Sequence, residues 1–335
     1  MRIIQLSYEN SMMFRGIAIL MMIFLHCFNY HSQNDYIDLI INGNTLSWWL
    51  TKTAGLCVAF YCFLSGYGLY KKYPYGYEYC LEKAWILIKR YWFFLVLFVG
   101  IGAFVFNAYE LNVSTLFSNF LGYNTTYNPT FWFLLPYLLV MVASPLLLKI
   151  FTTHKTWKSV ALVVVAYGGA FYCLKMKSIG VIAIPDVLYV VLESFHLLFS
   201  FMCGALLAKY GIPKLKIMRN MVINNFALIV LIAALVLVRS LIDSSILSPV
   251  LCFILIVLLA NLHFADGLMK LFEELGRHSL DMWFIHAYFT YKYLDFTVYW
   301  LRYPLFIFLA VVIYSYVLSK LFDIVLKRLD IVRIK

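Results

Sequence analysis

The sequence predicts an all-α membrane protein that crosses the bilayer about ten times. Of its 335 residues, 64% are hydrophobic and only 13% are charged, whereas soluble domains are about half apolar and about one quarter charged. The mean hydropathy is +0.85. A lipid environment accounts for this surplus of apolar side chains, so the composition excludes an ordinary soluble domain.

Ten apolar segments are each long enough, at about 20 residues, to cross the hydrocarbon core as a helix. They cover residues 12–30, 46–70, 84–107, 130–150, 158–174, 187–208, 222–241, 246–264, 279–299 and 303–325. The second and ninth segments are less purely apolar than the others. No soluble appended domain and no internal repeat interrupts the series, which predicts one membrane domain over residues 1–335.

The basic residues are distributed unevenly between alternate loops. The net charge is +11, and 21 of the 27 lysines and arginines fall on one predicted side. The six exceptions are Lys52, Lys175, Lys177, Arg239, Lys292 and Arg302. By the positive-inside rule, both termini lie in the cytoplasm. The rule also accounts for the positive net charge, so no nucleic-acid partner is predicted. The chain is expected to lie in the cytoplasmic membrane. The polar loop 107–130 is then external, and a cysteine at Asn119 should react with a label from outside.

Two polar side chains, Arg15 and His26, mark the first apolar segment. They are eleven residues apart, so they share one helix face and lie about 16 Å apart along its axis. Arg15 has the position of a membrane-boundary anchor, whereas His26 lies deep in the segment. An intramembrane ionisable residue is a functional candidate by default, and a neutral histidine suits a general base near pH 7. The alternative is a histidine that hydrogen-bonds a neighbouring helix.

Other candidates each have a structural alternative. Ser65 and Gly66 suit either close helix packing or close approach of a ligand to the backbone. Trp132 suits either an interfacial anchor or stacking against a ligand. Glu193 and His196 are three residues apart and share a helix face; they either orient a ligand or pair with another span.

The ninth segment is opened by Arg277 and Ser279, with His286 about two turns further along. Ser279 is a candidate helix cap, and His286 either contacts a ligand or bonds a neighbouring helix. The seven cysteines show no paired metal-binding spacing. The sequence therefore predicts no metal site and no permanently bound cofactor.

Five motifs, in order along the chain, resemble the acyltransferase family 3 membrane proteins. RGIAILMMIFLH (15–26) resembles the first-helix signature, in which ten residues separate a basic residue from a histidine. The others are FYCFLSGYGLYKK (60–72), FWFLLPYLLV (131–140), FHLLFSFMCGALLAKYG (195–211) and LGRHSLDMWFIHAYF (275–289). The clustered arginines of the family's first cytoplasmic loop are not matched, because LEKAWILIKRYWFFL contains only Lys83, Lys89 and Arg90.

The resemblance implies an O-acyltransferase that moves an acyl group, most often acetyl, from cytoplasmic acyl-CoA to a hydroxyl of a cell-envelope glycan or lipid-linked sugar. His26 would be the general base. The donor-binding residues would be Arg15, Ser65, Gly66, Lys89, Arg90, Arg277 and Ser279. The residues that bind or orient the acceptor would be Trp132, Glu193, His196 and His286. A proton-coupled transporter is the alternative from another class, and the missing inverted repeat counts against it.

Overall fold

The computed structural model describes residues 3–30, 35–215, 217, 220–242 and 244–329, and this part of the chain is almost entirely helical. Its helices are α1 (Tyr8–Phe28), α2 (Leu46–Ala54), α3 (Cys57–Lys72), α4 (Tyr77–Phe104), α5 (Val113–Leu121), α6 (Leu134–Thr153), α7 (Thr156–Ser178), α8 (Asp186–Tyr210), α9 (Met221–Leu241), α10 (Ser248–Asn261), α11 (Asp266–Thr290), α12 (Phe296–Tyr299) and α13 (Pro304–Arg328). A 3-10 helix, Pro129–Phe133, precedes α6.

Strands play a minor part in the described residues. Two short antiparallel pairs join β1 (Ile3–Ile4) to β4 (Ile212–Pro213) and β2 (Ile40–Ile41) to β3 (Asn44–Thr45). The second pair is a hairpin in which the turn residues Asn42 and Gly43 both have positive φ. This geometry favours the Asn-Gly dipeptide.

The structure confirms an all-α protein that crosses the membrane several times. Within the described residues, eight helical segments are long and apolar enough to span a bilayer. The predicted segment 246–264 corresponds to α10, which has only 14 residues. The predicted segment 279–299 overlaps α11, which is not among the eight. The count of ten and the cytoplasmic termini therefore stay predictions.

The predicted boundaries of the ninth segment were wrong. The observed helix α11 begins at Asp266 and ends at Thr290, not at residues 279 and 299. Its first half carries many charged side chains, so hydropathy alone does not reveal its start. Ser279 is therefore in the helix interior rather than at its N-cap, and its hydroxyl donates to the Gly276 carbonyl at 2.8 Å.

The loop 107–130 contains a helix that the sequence analysis missed, α5. Asn112 caps it, because the side-chain oxygen accepts hydrogen bonds from the backbone N–H groups of Ser114 and Thr115. Asn119, the residue suggested for labelling, is buried and hydrogen-bonds Thr126. A label at Asn119 would therefore disrupt the loop, and the labelling site has to be moved.

The chain divides into two compact units. The first comprises Met1–Tyr61 and Tyr210–Val325, and the second comprises Cys62–Lys209 and Leu326–Lys335. The prediction of one membrane domain over the whole chain stays a prediction.

The first unit is organised around the contact between α1 and α11. A Cβ atom at Gly16 would overlap the Phe272 carbonyl, and a Cβ atom at Gly276 would overlap the Met12 carbonyl. The backbones of the two helices therefore touch at this crossing, as small residues allow in membrane proteins. Ten residues after each glycine, at about 15 Å along the axes, His26 meets His286. The two helices therefore run parallel.

The facing sides of α1 and α11 follow the same spacing. Steps of four and three residues generate Met12, Gly16, Ile19, Ile23 and His26 on α1 and Phe272, Gly276, Ser279, Trp283 and His286 on α11. Every corresponding pair differs by 260 in residue number, the separation of the two histidines. Alternating steps of four and three are the seam of a left-handed helix pair. The alignment of the two helices at their glycines therefore also brings the two histidines opposite each other.

In the second unit, two glycines let the backbones of α3 and α8 pack closely. A Cβ atom at Gly66 of α3 would overlap the Phe201 carbonyl of α8, and one at Gly204 would overlap the Phe63 carbonyl. Close packing of two helix backbones accounts for the presence of Gly66, which is one of the two interpretations that the sequence left open.

The membrane orientation is tested by labelling of single cysteines. Six of the seven native cysteines are buried, and Cys173 is partly exposed. In a Cys173→Ser background, Glu110→Cys replaces an exposed side chain in the predicted external loop. We expect an impermeant maleimide to label Glu110→Cys on intact cells and Lys155→Cys only after permeabilisation. The opposite pattern would reverse the orientation.

The α1–α11 crossing should not tolerate a side chain at Gly16. Gly16→Ala places a methyl group against a backbone carbonyl, and overpacking of this kind costs about 1–3 kcal/mol or more. We expect a markedly lower melting temperature in detergent. Gly68→Ala in α3 is the matched control, because nothing lies within 4 Å of its added Cβ. Equal stability of the two variants would contradict the close crossing.

Candidate active site

The central feature of the first unit is a hydrogen bond between two histidines, His26 of α1 and His286 of α11. The His26 Nδ1 atom lies 2.8 Å from the His286 Nε2 atom, and the ring centroids are 4.9 Å apart. His286 is fully buried, whereas His26 is partly exposed. We call these two residues the histidine pair. It has one enclosed member and one accessible member.

The hydrogen-bond partners assign the tautomers of the neutral pair. The His286 Nδ1 atom lies 2.8 Å from the Trp283 carbonyl oxygen and 3.2 Å from that of Met282. A carbonyl oxygen can only accept a hydrogen bond, so Nδ1 of His286 carries the proton. Its unprotonated Nε2 atom then accepts a hydrogen bond. His26 must then donate from Nδ1. Its Nε2 atom is left with an unprotonated lone pair, the state that a general base needs.

Two tyrosines border the accessible side of His26. The Tyr30 ring is nearly parallel to the imidazole, at 5°, with the centroids 6.3 Å apart. The Tyr291 ring centroid lies 6.0 Å from that of His26 and 5.6 Å from that of Tyr30. Tyr30 is 67% exposed, and Tyr291 is partly exposed. The accessible imidazole therefore lies beside two aromatic rings that solvent or a ligand can reach.

The predicted donor residues of the first unit lie towards the other end of α1 and α11. Arg15 is exposed, and its backbone carbonyl accepts a hydrogen bond from the Tyr61 hydroxyl at 3.5 Å. Tyr61 also hydrogen-bonds Ser279, so this tyrosine links α1 to α11. Arg277 forms an ion pair with Glu273, one turn earlier in the helix. Arg15 therefore presents its charge outward, whereas part of the charge of Arg277 is neutralised locally.

The second unit holds the remaining predicted donor residues. The Ser65 hydroxyl shares a 3.1 Å hydrogen bond with the Tyr137 hydroxyl. Gly66 packs against the backbone of α8 at Phe201. Lys89 and Arg90 lie side by side in α4, each partly exposed. The structure thus gives Ser65 and Gly66 packing partners and leaves the two cations at the surface of their unit.

Among the acceptor candidates of the second unit, Glu193 and His196 are adjacent in space. The His196 Nδ1 atom lies 3.3 Å from a Glu193 carboxylate oxygen, and the His196 ring stacks on Tyr167 with centroids 5.1 Å apart. Trp132 is part of the 3-10 helix and packs against Phe133. Glu193 and His196 form a hydrogen-bonded pair of their own within the second unit.

No metal-binding cluster is found in the described part of the chain. There, no group of three or more His, Cys, Asp and Glu side chains has the geometry to hold a metal ion. The histidine pair itself offers proton transfer by imidazole.

The comparison with known protein families decides the class of the protein. The acyltransferase domain of acyltransferase family 3 matches residues 12–320 of the chain, nearly its whole length. The protein is a member of acyltransferase family 3. No curated protein and no solved structure matches the chain. The family assignment confirms the resemblance drawn from the five motifs and makes this chain a multi-pass membrane acyltransferase.

Sequence reasoning missed the pairing of His26 with His286 in this family 3 acyltransferase, although a signal was present. GIAILMMIFLH (16–26) and GRHSLDMWFIH (276–286) both place nine residues between a glycine and a histidine. If two such helices cross in parallel at their glycines, their histidines meet. Tyr30, Tyr61 and Tyr291 were missed because nothing in their local sequence separates them from the other tyrosines of the chain, which number 26 in all.

The tautomer assignment in this acyltransferase is open to direct measurement. We expect ¹⁵N NMR of histidine-labelled protein in nanodiscs to show a protonated Nδ1 and an unprotonated Nε2 for both His26 and His286. His26→Gln and His286→Gln variants assign the signals. A proton on Nε2 of His26 in the neutral protein would contradict the assignment, because it would leave no basic lone pair on the accessible edge.

Proposed function

We propose that this acyltransferase transfers an acyl group, most often acetyl, from cytoplasmic acyl-CoA to a hydroxyl of a cell-envelope glycan or lipid-linked sugar. One observation carries the catalytic part of the proposal. The hydrogen bond from His26 to His286 fixes the basic lone pair at Nε2 of His26, the partly exposed member of the pair. The family supplies the reaction class.

In this proposal, the acceptor hydroxyl lies beside Nε2 of His26. The hydroxyl oxygen attacks the thioester carbonyl carbon while Nε2 takes its proton. The tetrahedral intermediate then collapses, the carbon–sulfur bond breaks, and the CoA thiolate recovers a proton from the imidazolium. The products are an O-acyl ester and CoA thiol. General-base assistance is worth about 10²–10⁴-fold, or about 3–5 kcal/mol of barrier.

His286 acts as a positioning residue in this scheme. Its Nε2 atom accepts the Nδ1–H of His26, so it holds the imidazole in the tautomer whose Nε2 is basic. It also accepts a hydrogen bond from the imidazolium that forms when His26 takes a proton. An Asp–His pair uses the same logic in serine proteases, where a third group fixes the tautomer and orientation of the base.

The donor part of the proposal places the phosphates of acyl-CoA at cytoplasmic cations. Arg15 is the leading candidate because its guanidinium is exposed and arginine binds phosphate with a bidentate fork. Lys89 and Arg90 are further candidates on the second unit. About 16 Å of helix separates Arg15 from His26, and an extended pantetheine arm covers such a distance.

Substitutions at the histidine pair test the function. We expect His26→Gln and His26→Ala to lower the rate of acyl transfer by about 10²–10⁴-fold, because neither side chain supplies a base. His286→Leu should lower kcat by about tenfold, the effect of one lost hydrogen bond, without changing the KM for acetyl-CoA. His286→Gln, which keeps an acceptor for His26, should recover part of that loss.

The control for these variants is His154→Gln, which changes an exposed histidine outside the pair. Transfer of radiolabelled acetyl groups to native envelope polysaccharide is measured beside the melting temperature of each variant. A His26→Gln protein with nearly normal transfer would refute the role of His26 as base. A His286→Gln protein with as large a loss of kcat as His286→Leu would assign His286 a structural role only.

A further inference from the structure

The two tyrosines beside His26 carry an inference about how the acceptor binds. Tyr30 follows the C-terminal end of α1, and Tyr291 follows the C-terminal end of α11. Because α1 and α11 run parallel, both rings lie at one end of the pair, opposite to Arg15. By the charge distribution this is the external end. Their rings contact each other and the accessible imidazole.

The position of the two rings differs from that of ordinary interfacial aromatic residues. Tyrosines at a membrane interface anchor a helix by contacting lipid headgroups, and this requires no contact with an intramembrane base. Here both ring centroids lie within 6.3 Å of the His26 centroid. A molecule that hydrogen-bonds Nε2 of His26 therefore has both aromatic rings within reach.

The chemistry of two accessible tyrosines favours a particular class of ligand. Tyrosine combines an apolar ring with a hydroxyl that hydrogen-bonds, and small-molecule sites combine aromatic walls with few polar groups. A pyranose ring has the complementary form, since its axial C–H groups make an apolar face and its hydroxyls form a polar rim. If the apolar face lies on an aromatic ring, a rim hydroxyl is directed sideways, towards the imidazole.

We propose that Tyr30 and Tyr291 form the acceptor subsite of this enzyme, a stacking surface for one pyranose ring whose reacting hydroxyl lies at Nε2 of His26. This inference rests on the proposed function and adds the residues that bind the acceptor. It also gives a physical reason for the exposure of Tyr30, which is 67%. The two rings act on acceptor binding and not on the chemistry of the thioester.

The experiment separates acceptor binding from donor chemistry. Purified protein in nanodiscs is assayed for acetyl-CoA hydrolysis without acceptor and for acetyl transfer to polysaccharide extracted from the native cell envelope. The variants are Tyr30→Ala and Tyr291→Ala, which remove the rings, and Tyr30→Phe and Tyr291→Phe, which keep them. Tyr303→Ala is the matched control, because Tyr303 is 52% exposed and packs against Phe306 rather than His26.

For each alanine variant, we expect the KM for polysaccharide to rise by about tenfold, the scale of one lost stacking contact. Hydrolysis of acetyl-CoA should stay within about twofold of the wild-type rate, because no donor residue changes. The phenylalanine variants, which keep the rings, should show a smaller rise in KM than the alanine variants, and Tyr303→Ala should transfer with a KM near that of the wild type. Sorbitol, a linear polyol without a ring, should not compete with the polysaccharide, whereas methyl pyranosides should.

Two outcomes would overturn the inference. If the alanine variants keep the wild-type KM for polysaccharide, or if they lose acetyl-CoA hydrolysis in parallel with transfer, the tyrosines do not form an acceptor subsite. Failure of the proposed function looks different, since the wild-type protein itself would then neither hydrolyse acetyl-CoA nor acetylate the polysaccharide. Equal loss in Tyr303→Ala would assign all three residues to interfacial anchoring.

Discussion

The close contact of α1 with α11 is the constraint on which the candidate active site depends. Gly16 and Gly276 let two helix backbones touch, and any side chain at either position would overlap a carbonyl group of the other helix. In a bilayer, the hydrophobic effect gives helices little reason to associate, so intimate packing and hydrogen bonds must hold them together. The glycines supply the packing, and the hydrogen bond between His26 and His286 supplies a polar link further along the same seam.

The register of this seam explains how His286 can be fully buried in an apolar environment. An unsatisfied polar group in such a place is costly, and each ring nitrogen needs a partner. His286 satisfies its Nδ1 atom with a carbonyl of its own helix and its Nε2 atom with His26. Nε2 of His26 is the ring nitrogen of the pair that the tautomer assignment leaves with an unprotonated lone pair and without a partner inside the pair.

The structure also divides the predicted site residues into those that packing explains and those that it does not. Gly66 and Ser279 are accounted for by a helix crossing and by a bond to the helix backbone. Arg277 has an acidic partner in its own helix. Arg15 and His26 differ from them, because Arg15 is exposed and His26 is only partly buried, although both lie on the helix that packs against α11. The proposed function uses both residues.

The sequence by itself determined the class of fold and the family. Composition and the lengths of the apolar segments suffice for a membrane protein, because lipid exposure demands long apolar helices whatever their arrangement. Motif order sufficed for the family, and the spacing of Arg15 and His26 sufficed to place them on one helix face. These properties are local, since each follows from residues within one helix or from sums over the chain.

Only the tertiary structure decided what lies beside His26. The start of helix α11 was predicted wrongly because its first half carries many charged side chains. A hydropathy average is low for such a helix, even though its apolar face is covered by α1. The partner of His26 lies 260 residues away, and one helix turned by a single residue would present a different side chain. The two Gly-x₉-His stretches hold the information, but they specify a contact only if the helices cross in parallel at their glycines. That crossing is a property of packing between distant segments, which no local pattern records.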